Sequence, residues 1–336
     1  MNSILNYLKA TVGPCVAASV FLVGATGAHA QTSGEIEVLR VRPNFYMIAG
    51  AGGNIGVQIG SDGVVLVDAG SEQASTNVLA EIKKLTNEPI RYIIDTGPNA
   101  DHVGGNARLA KAGHTILPMA RNDRGDIDKL MTNGGAASIL ATEKVLLRMS
   151  APTGKVAEFS SDAWPTESFS QKRKYLFFNH EAIEIFHEAA AHTDGDSMVF
   201  FRASDVVVAG DILDTNRFPV IDVEKGGSVQ GEIDALNHLI ELAISPVPFV
   251  YQEGGTYVIP GHGRICDQLD VVEYRDMIVV VRDVVQDMMK RGITLQQIQG
   301  ASPAKPFERQ YGATSGPWTT NKFIEAVYKS LAGKKP

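Results

Sequence analysis

From residue 36 onward the chain runs through short apolar or alternating stretches separated by turn residues: "IEVLRV", "FYMIAG", "NIGVQIG" and "GVVLVDAG". A period of two bounded by Gly, Asn and Asp is the pattern of β-strands. Residues 75–85 then place their apolar side chains at helical spacing. A further strand, "RYIIDTG", leads into a short helix over about 103–110 and on to "HTILP". Between 119 and 172 the regularity is lost. Gly134, Gly135, Pro152, Gly154 and Pro165 interrupt the pattern, which supports one helix there, over about 136–147. The segment reads as an insertion carrying loops. Strand patterns return in "YLFFNHEAIEIFHEA", "MVFFRASDVVVAGD" and "TYVIPGHG", with the helix "EIDALNHLIELAI" among them. Residues 271–289 and 323–331 repeat helical spacing on a broad apolar face. A meander of four strands followed by alternating strands and helices predicts two mixed sheets packed together with helices outside. A simple Rossmann or TIM-barrel order does not fit.

The first residues stand apart from this pattern. A short segment with one Lys precedes an apolar, small-residue run over 10–27, and "AHA" at 28–30 supplies a small-x-small cleavage site before Gln31. This is the pattern of a signal peptide over 1–30, which implies a secreted or periplasmic protein. Gly13, Pro14 and Gly24 break the run, so an uncleaved membrane anchor fits less well. The remaining chain, 31–336, reads as one domain with a core over about 36–265 and a helical part over about 266–336. Cleavage removes Cys15 and leaves Cys266 alone, so no internal disulfide stabilises the mature chain.

With 336 residues, 44% of them hydrophobic, the chain is long enough to bury a large core. Its net charge of −7 argues against a nucleic-acid partner and leaves a small-molecule substrate as the expected partner.

The histidines divide into two groups. His114, His180, His187 and His238 sit within strand or helix patterns without a polar cluster, the setting of structural residues. His102 follows "YIID", His192 lies in "EAAAHTDGDS" after "EIF", and His262 lies in "YVIPGHG" after "TYVI". Asp211 ends "DVVVAGD" in the same way. Four loops at strand ends thus each offer His or Asp beside Gly, which lets backbone and ligand approach closely. Strand ends of layered α/β proteins are where sites converge. Imidazole and carboxylate together suit zinc or a similar divalent ion.

In order and spacing, "VLVDAG", "TGPNADHVGGN", "AHTDGD", "VVAGD" and "IPGHG" resemble the motifs of the metallo-β-lactamase superfamily over nearly all of the mature length. The resemblance implies an αββα four-layer sandwich with a metal site at one edge of the two sheets. It also exposes a departure. The superfamily usually has T-H-x-H-x-D-H-x-G-G where this chain has "TGPNADHVGG", so its first two histidines fall on Gly97 and Asn99. The first metal position then keeps His192 alone. The second keeps Asp101, His102, His262 and Asp211, a full set for one divalent ion.

The resemblance therefore implies a hydrolase using one Zn2+ per chain, with Asp101, His192 and Asn99 as catalytic groups. Asp211 is expected to swing off the ion, His192 to act as base or to orient water, and Asn99 to face a developing oxyanion. Asp211 in place of the Cys usual in true metallo-β-lactamases resembles the superfamily's thioester, lactone and phosphoester hydrolases, and an ester, lactone or related carbonyl bond is the expected substrate. The alternative is an inactive binding protein that keeps the cleft. A two-iron redox centre is disfavoured by Gly97 and Asn99.

Overall fold

The computed structural model describes residues 35–115, 135–151, 154–246 and 254–333. The expected leader and its cleavage point before Gln31 lie outside them, as does residue range 119–134. The meander is β1 (Glu37–Arg42), β2 (Phe45–Ala49), β3 (Ile55–Gly60) and β4 (Gly63–Val67), each antiparallel to the next. Every residue of β4 is buried, as expected of a strand covered on both faces. Helix α1 (Ser75–Leu85) crosses over to β5 (Ile90–Ile94), which pairs parallel with β4.

Two expectations change in the next segment. The helix expected over 103–110 is two short helices, α2 (Ala100–Val103) and α3 (Asn106–Ala112), separated at Gly104 and Gly105. A Cβ there would lie 2.5 Å from the Ala100 carbonyl oxygen or 2.2 Å from that of Ala69, so the break lets the backbone pass close to its neighbours. The helix expected over 136–147 is instead β6 (Ser138–Thr142) followed by α4 (Glu143–Met149). β6 pairs parallel with β5, and β7 (Glu167–Phe169) pairs parallel with β6. The alanines of "AASILAT" favour helix locally, but burial of Ile139, Leu140 and Ala141 in the sheet outweighs that preference. Thr142 then caps α4 by accepting from the Val145 N–H. This part of 119–172 completes the first sheet rather than forming loops.

The second sheet has the order β12-β11-β10-β9-β8. Its strands are β8 (Arg173–Phe178), β9 (Glu181–Glu188), β10 (Asp196–Phe201), β11 (Val206–Asp214) and β12 (Tyr257–His262). Asn179 and His180, both at positive φ, form the two-residue turn between β8 and β9. His180 is therefore a turn residue and not part of a strand. Helices α5 (Val229–Leu242), α6 (Gln268–Lys290), α7 (Leu295–Ala301), α8 (Glu308–Tyr311) and α9 (Thr320–Ala332) complete the elements used below.

Three apolar layers hold these elements together. Phe45, Val65, Ile94 and Leu140 of the first sheet meet Ile183, Val199, Phe201 and Ile259 of the second. Ile55, Leu66 and Ile93 pack outward against Val78, Ile82 and Leu109 of α1 and α3. Val207 and Ala209 pack outward against Leu236, Val271, Ile278 and Phe323 of the later helices. The architecture is the αββα sandwich. β4–β5 and β11–β12 run parallel, so their C-terminal ends gather at one edge. Among the described residues no helix is long and apolar enough to cross a membrane.

Candidate metal centre

At that edge four side chains turn toward one point. Asp101 and His102 come from α2, Asp211 from β11 and His262 from the end of β12. Asp101, His102 and His262 each present a ligand atom within 4.8 Å of the others. Asp211 stands outside that limit, yet its Oδ1 lies 3.1 Å from His102 Nε2 and 3.6 Å from His262 Nε2. His262 Nε2 also lies 3.1 Å from Asp101 Oδ2. Bonds of 2.0–2.1 Å at tetrahedral angles would put ligand atoms roughly 3.3 Å apart, close to these separations. His262 Nε2 is buried and has no well-formed hydrogen bond among the described residues. In separation and donor chemistry Asp101, His102 and His262 fit one divalent cation, with Asp211 against both histidines.

The residues behind the cluster fix its geometry. Asp68 Oδ2 lies 2.7 Å from His102 Nδ1, which leaves Nε2 for the cluster. Asp68 also accepts from the Thr96 N–H and hydroxyl, each at 2.8 Å. The loop after β2 ties two ligand-bearing segments together. The Gly53 N–H donates to the Asp101 carbonyl at 2.9 Å, and the Asn54 amide donates to the Pro260 and Gly263 carbonyls. A Cβ on Gly53 would lie 2.9 Å from His102 Cε1 and 3.0 Å from Nε2. Gly53→Ala is therefore expected to displace the imidazole and weaken binding of a divalent cation there on the order of 10-fold or more, as losses next to metal ligands do. Competition with a chromophoric chelator checks this. An unchanged affinity would mean the loop gives way instead.

Opposite the cluster the surroundings differ. A Cβ on Gly97 would meet only Asp196 Oδ1, at 3.7 Å. Asn99 donates its amide N–H to Asp211 Oδ2 at 2.7 Å. His192 Nδ1 lies 3.4 Å from the same oxygen and 3.7 Å from Asp196 Oδ1, and has no hydrogen-bond partner among the described residues. Asp211 thus offers one oxygen to the four-residue cluster and has the other faced by Asn99 and His192. Asp211 is held from that far side by both residues. Asn99 bonds Asp211, and His192 is buried.

The electrostatics of the cluster call for positive charge. Burial opposes ionisation of Asp211, but the charge of His102, with His192 and His262 behind it, holds the carboxyl well below the usual range. Burial likewise disfavours an imidazolium at His102, and the carboxylates of Asp211 and Asp68 outweigh it, raising its pKa well above the ordinary value. Burial resists ionisation at Asp101 as well, where contact with His262 and the charge of His102 prevail and lower its pKa. A divalent cation would answer the same carboxylates with both histidines neutral.

Glu232 on α5 is fully buried, and neither of its carboxyl oxygens has a partner among the described residues. Burial first, then the charges of Asp196 and Asp211, push its pKa well above the ordinary value. A carboxyl raised in this way holds its proton more tightly when folded. Its contribution to stability is complete below about pH 4.3 and is lost as pH climbs toward the folded value. Glu232→Gln keeps the shape without that loss. In urea unfolding of chelated protein the variant is expected to gain on wild type by up to about 1.4 kcal/mol per pH unit through the window. Parallel pH profiles would contradict this.

A family model described as the metallo-beta-lactamase superfamily matches residues 49–250. The chain belongs to the metallo-beta-lactamase superfamily. The match ends before His262, whose place is set by β12 and the contacts above. No curated protein matches the chain at a significant level. Among solved structures, the stereoselective inverting sec-alkylsulfatase Pisa1 from Pseudomonas sp. superposes with a TM-score of 0.60 at 14% identity, covering 89% of this chain and 50% of that one. The chain thus spans about half the length of the sulfatase. A metallo-beta-lactamase from Pontibacter korlensis gives 0.51 at 14% identity, over 73% of this chain and 99% of that one. At such identities the likeness is one of fold.

Sequence reasoning placed the superfamily motifs, Asp68 within "VLVDAG" included, but gave no role to the residues that hold the ligands. Asp68 ends an apolar strand beside Ala and Gly, as Asp211 ends another, and that shared signal marks it. Glycines Gly52 and Gly53 ahead of Asn54 signal a close backbone approach. Glu232 carries no local signal, because an acidic residue near a helix N-terminus ordinarily faces solvent. His187 and His238 are engaged elsewhere, with the Asp194 carbonyl and Glu188.

Proposed function

We propose that the chain is a hydrolase that holds one Zn2+ through Asp101, His102, Asp211 and His262 and cleaves an ester, lactone or related carbonyl bond. The observation that carries this reading is three donors at ligand spacing, Asp101, His102 and His262, with Asp211 against both histidines, beside a position where Gly97 and Asn99 stand in place of histidines. When bound, such a cation supplies Lewis acidity and lowers the pKa of water toward ~7.

The protein groups divide the remaining work. His102 and His262 fix the geometry, with His102 oriented by Asp68. Asn99 and His192 hold Asp211 from the far side, and so act as positioning residues. Asp101 is the freer carboxylate. Its side chain is 40% exposed and its Oδ2 lies against His262, so while one oxygen faces the ion the other is the group able to take a proton from attacking water. The apolar run and "AHA" site of residues 1–30 support an exported protein.

The test is a panel of aryl esters, lactones, thioesters, phosphodiesters, sulfate esters and β-lactams with zinc-loaded protein. Turnover of activated esters or lactones above the chelated protein, with little or no β-lactam cleavage, is expected. No turnover anywhere, with a ligand still bound in the cleft, would favour the inactive binding protein.

A further inference from the structure

We propose that the open edge of β8 docks a second copy of this chain, so that two five-stranded sheets join into one across a two-fold axis. β8 ends the second sheet, with β9 on one side and no strand on the other among the described residues. Its register runs from Arg173 opposite Phe186 to Phe178 opposite Glu181. One residue earlier, the His187 N–H donates to the Lys172 carbonyl at 2.9 Å. Antiparallel pairs alternate between bonded and unbonded, so Lys174, Leu176 and Phe178 turn their N–H and C=O groups toward β9. Those of Arg173, Tyr175 and Phe177 point away from the sheet. An edge of this kind is a template for another strand.

The side chains along the edge suit such a partner. Leu176 and Phe178 pack between the two sheets. Tyr175 and Phe177, on the opposite face, are 62% and 74% exposed. The Arg173 guanidinium lies over the Tyr175 and Phe186 rings at 4.8 and 4.7 Å. Positive charge here is partly neutralised within the chain, which lowers the repulsion a second copy would meet. Arg173 and Arg202 both pair with the buried Glu184, and Lys174 pairs with Glu167.

The sequence of the strand selects one register. Centring the axis on Tyr175 sets Tyr175 opposite its own copy and Arg173 opposite the partner's Phe177. All the outward N–H and C=O groups of the three residues are then paired. Aromatic pairs, and an arginine over an aromatic face, are favourable cross-strand neighbours. Centring on Arg173 or Lys174 would oppose like charges. Centring on Leu176 or Phe177 would run Arg173 against the turn at Asn179 and His180 or beyond it. β8 stands three strands from β11, roughly 14 Å at about 4.8 Å per strand, so pairing leaves the metal cluster open. One strand per copy is a small interface, so the dimer is expected to dissociate at micromolar rather than nanomolar concentration.

Sedimentation equilibrium of the purified protein across the micromolar range is the test, with Phe177→Lys, Phe177→Glu and Tyr175→Pro alongside. Wild type is expected to pass from one chain to two. Phe177→Lys sets a cation opposite Arg173 at two places across the axis and should weaken the dimer roughly 10-fold. Phe177→Glu sets an opposite charge there and should stay within about three-fold of wild type. Tyr175→Pro removes an outward N–H without touching a bond to β9, and should leave a folded monomer by circular dichroism. If that variant does not fold, the Lys and Glu variants carry the test. Wild type that stays monomeric throughout overturns the proposal, and so does equal weakening by Lys and Glu. A monomer that sediments with phosphatidylglycerol vesicles, and no longer does so as Phe177→Glu, would assign the edge to an anionic membrane surface instead. Slow hydrogen exchange at the Arg173, Tyr175 and Phe177 amides of a monomer would mean that the chain covers its own edge, which also overturns it.

Discussion

Replacing His262 by alanine is expected to strip most of the zinc and to lower hydrolysis by roughly 10²–10³-fold or more, the loss of several kcal/mol of charge stabilisation. His262 is the cleaner of the two imidazoles to remove. It is partly exposed, and its Nε2 faces only Asp101 and Asp211. His102→Ala would also leave Asp68 buried beside an empty space, and breaking a buried pair costs about 3–5 kcal/mol of stability in its own right. His192→Ala has a different expected outcome. Its Nδ1 faces the far oxygen of Asp211, not the four-residue cluster, so zinc should stay while activity falls through a looser Asp211. Metal analysis and kinetics on the same preparations separate the two. Equal zinc loss in His192→Ala and His262→Ala would contradict this division of roles.

The double replacement Gly97→His and Asn99→His is expected to raise the metal content from about one to about two per chain. The physical basis is space and donor count. A Cβ at Gly97 meets only Asp196 Oδ1, at ordinary contact distance, so a larger side chain has room to start. Removing Asn99 frees Asp211 Oδ2 from its hydrogen bond. His192 Nδ1, without a partner and 3.4 Å from that oxygen, would complete three nitrogens around a second ion bridged by Asp211. A second charge shares negative charge developing in the transition state, so substrates with poorer leaving groups should become accessible. Titration with zinc under a competing chelator reads the stoichiometry. A single site in the double variant would mean that more than two ligands were lost from the first position.

Much of this was legible in the sequence because the ligand-bearing loops announce themselves locally. His102, Asp211 and His262 each follow an apolar strand and stand beside Gly, and the parallel pairs bring those ends to one edge. Residues 136–149 were less legible. Alanine-rich "AASILAT" has a helix former's composition, and only its burial between β5 and β7 makes it a strand. The relation of Asn99 to Asp211 spans 112 positions and belongs to tertiary structure alone. So does that of Asp68 to His102, 34 positions apart. From sequence Asn99 read as a group aimed at substrate. Its partner, supplied by another strand, turns it into a support for Asp211.

The proposed hydrolase holds one cation where the superfamily's motifs supply ligands for two. Zinc counted by mass spectrometry in the purified wild-type protein, after dialysis against trace-metal-free buffer, tests it most directly. About one zinc per chain, lost in His262→Ala and kept in His192→Ala, is the expected result. Two tightly held ions, or none under conditions where the protein is folded, would contradict it.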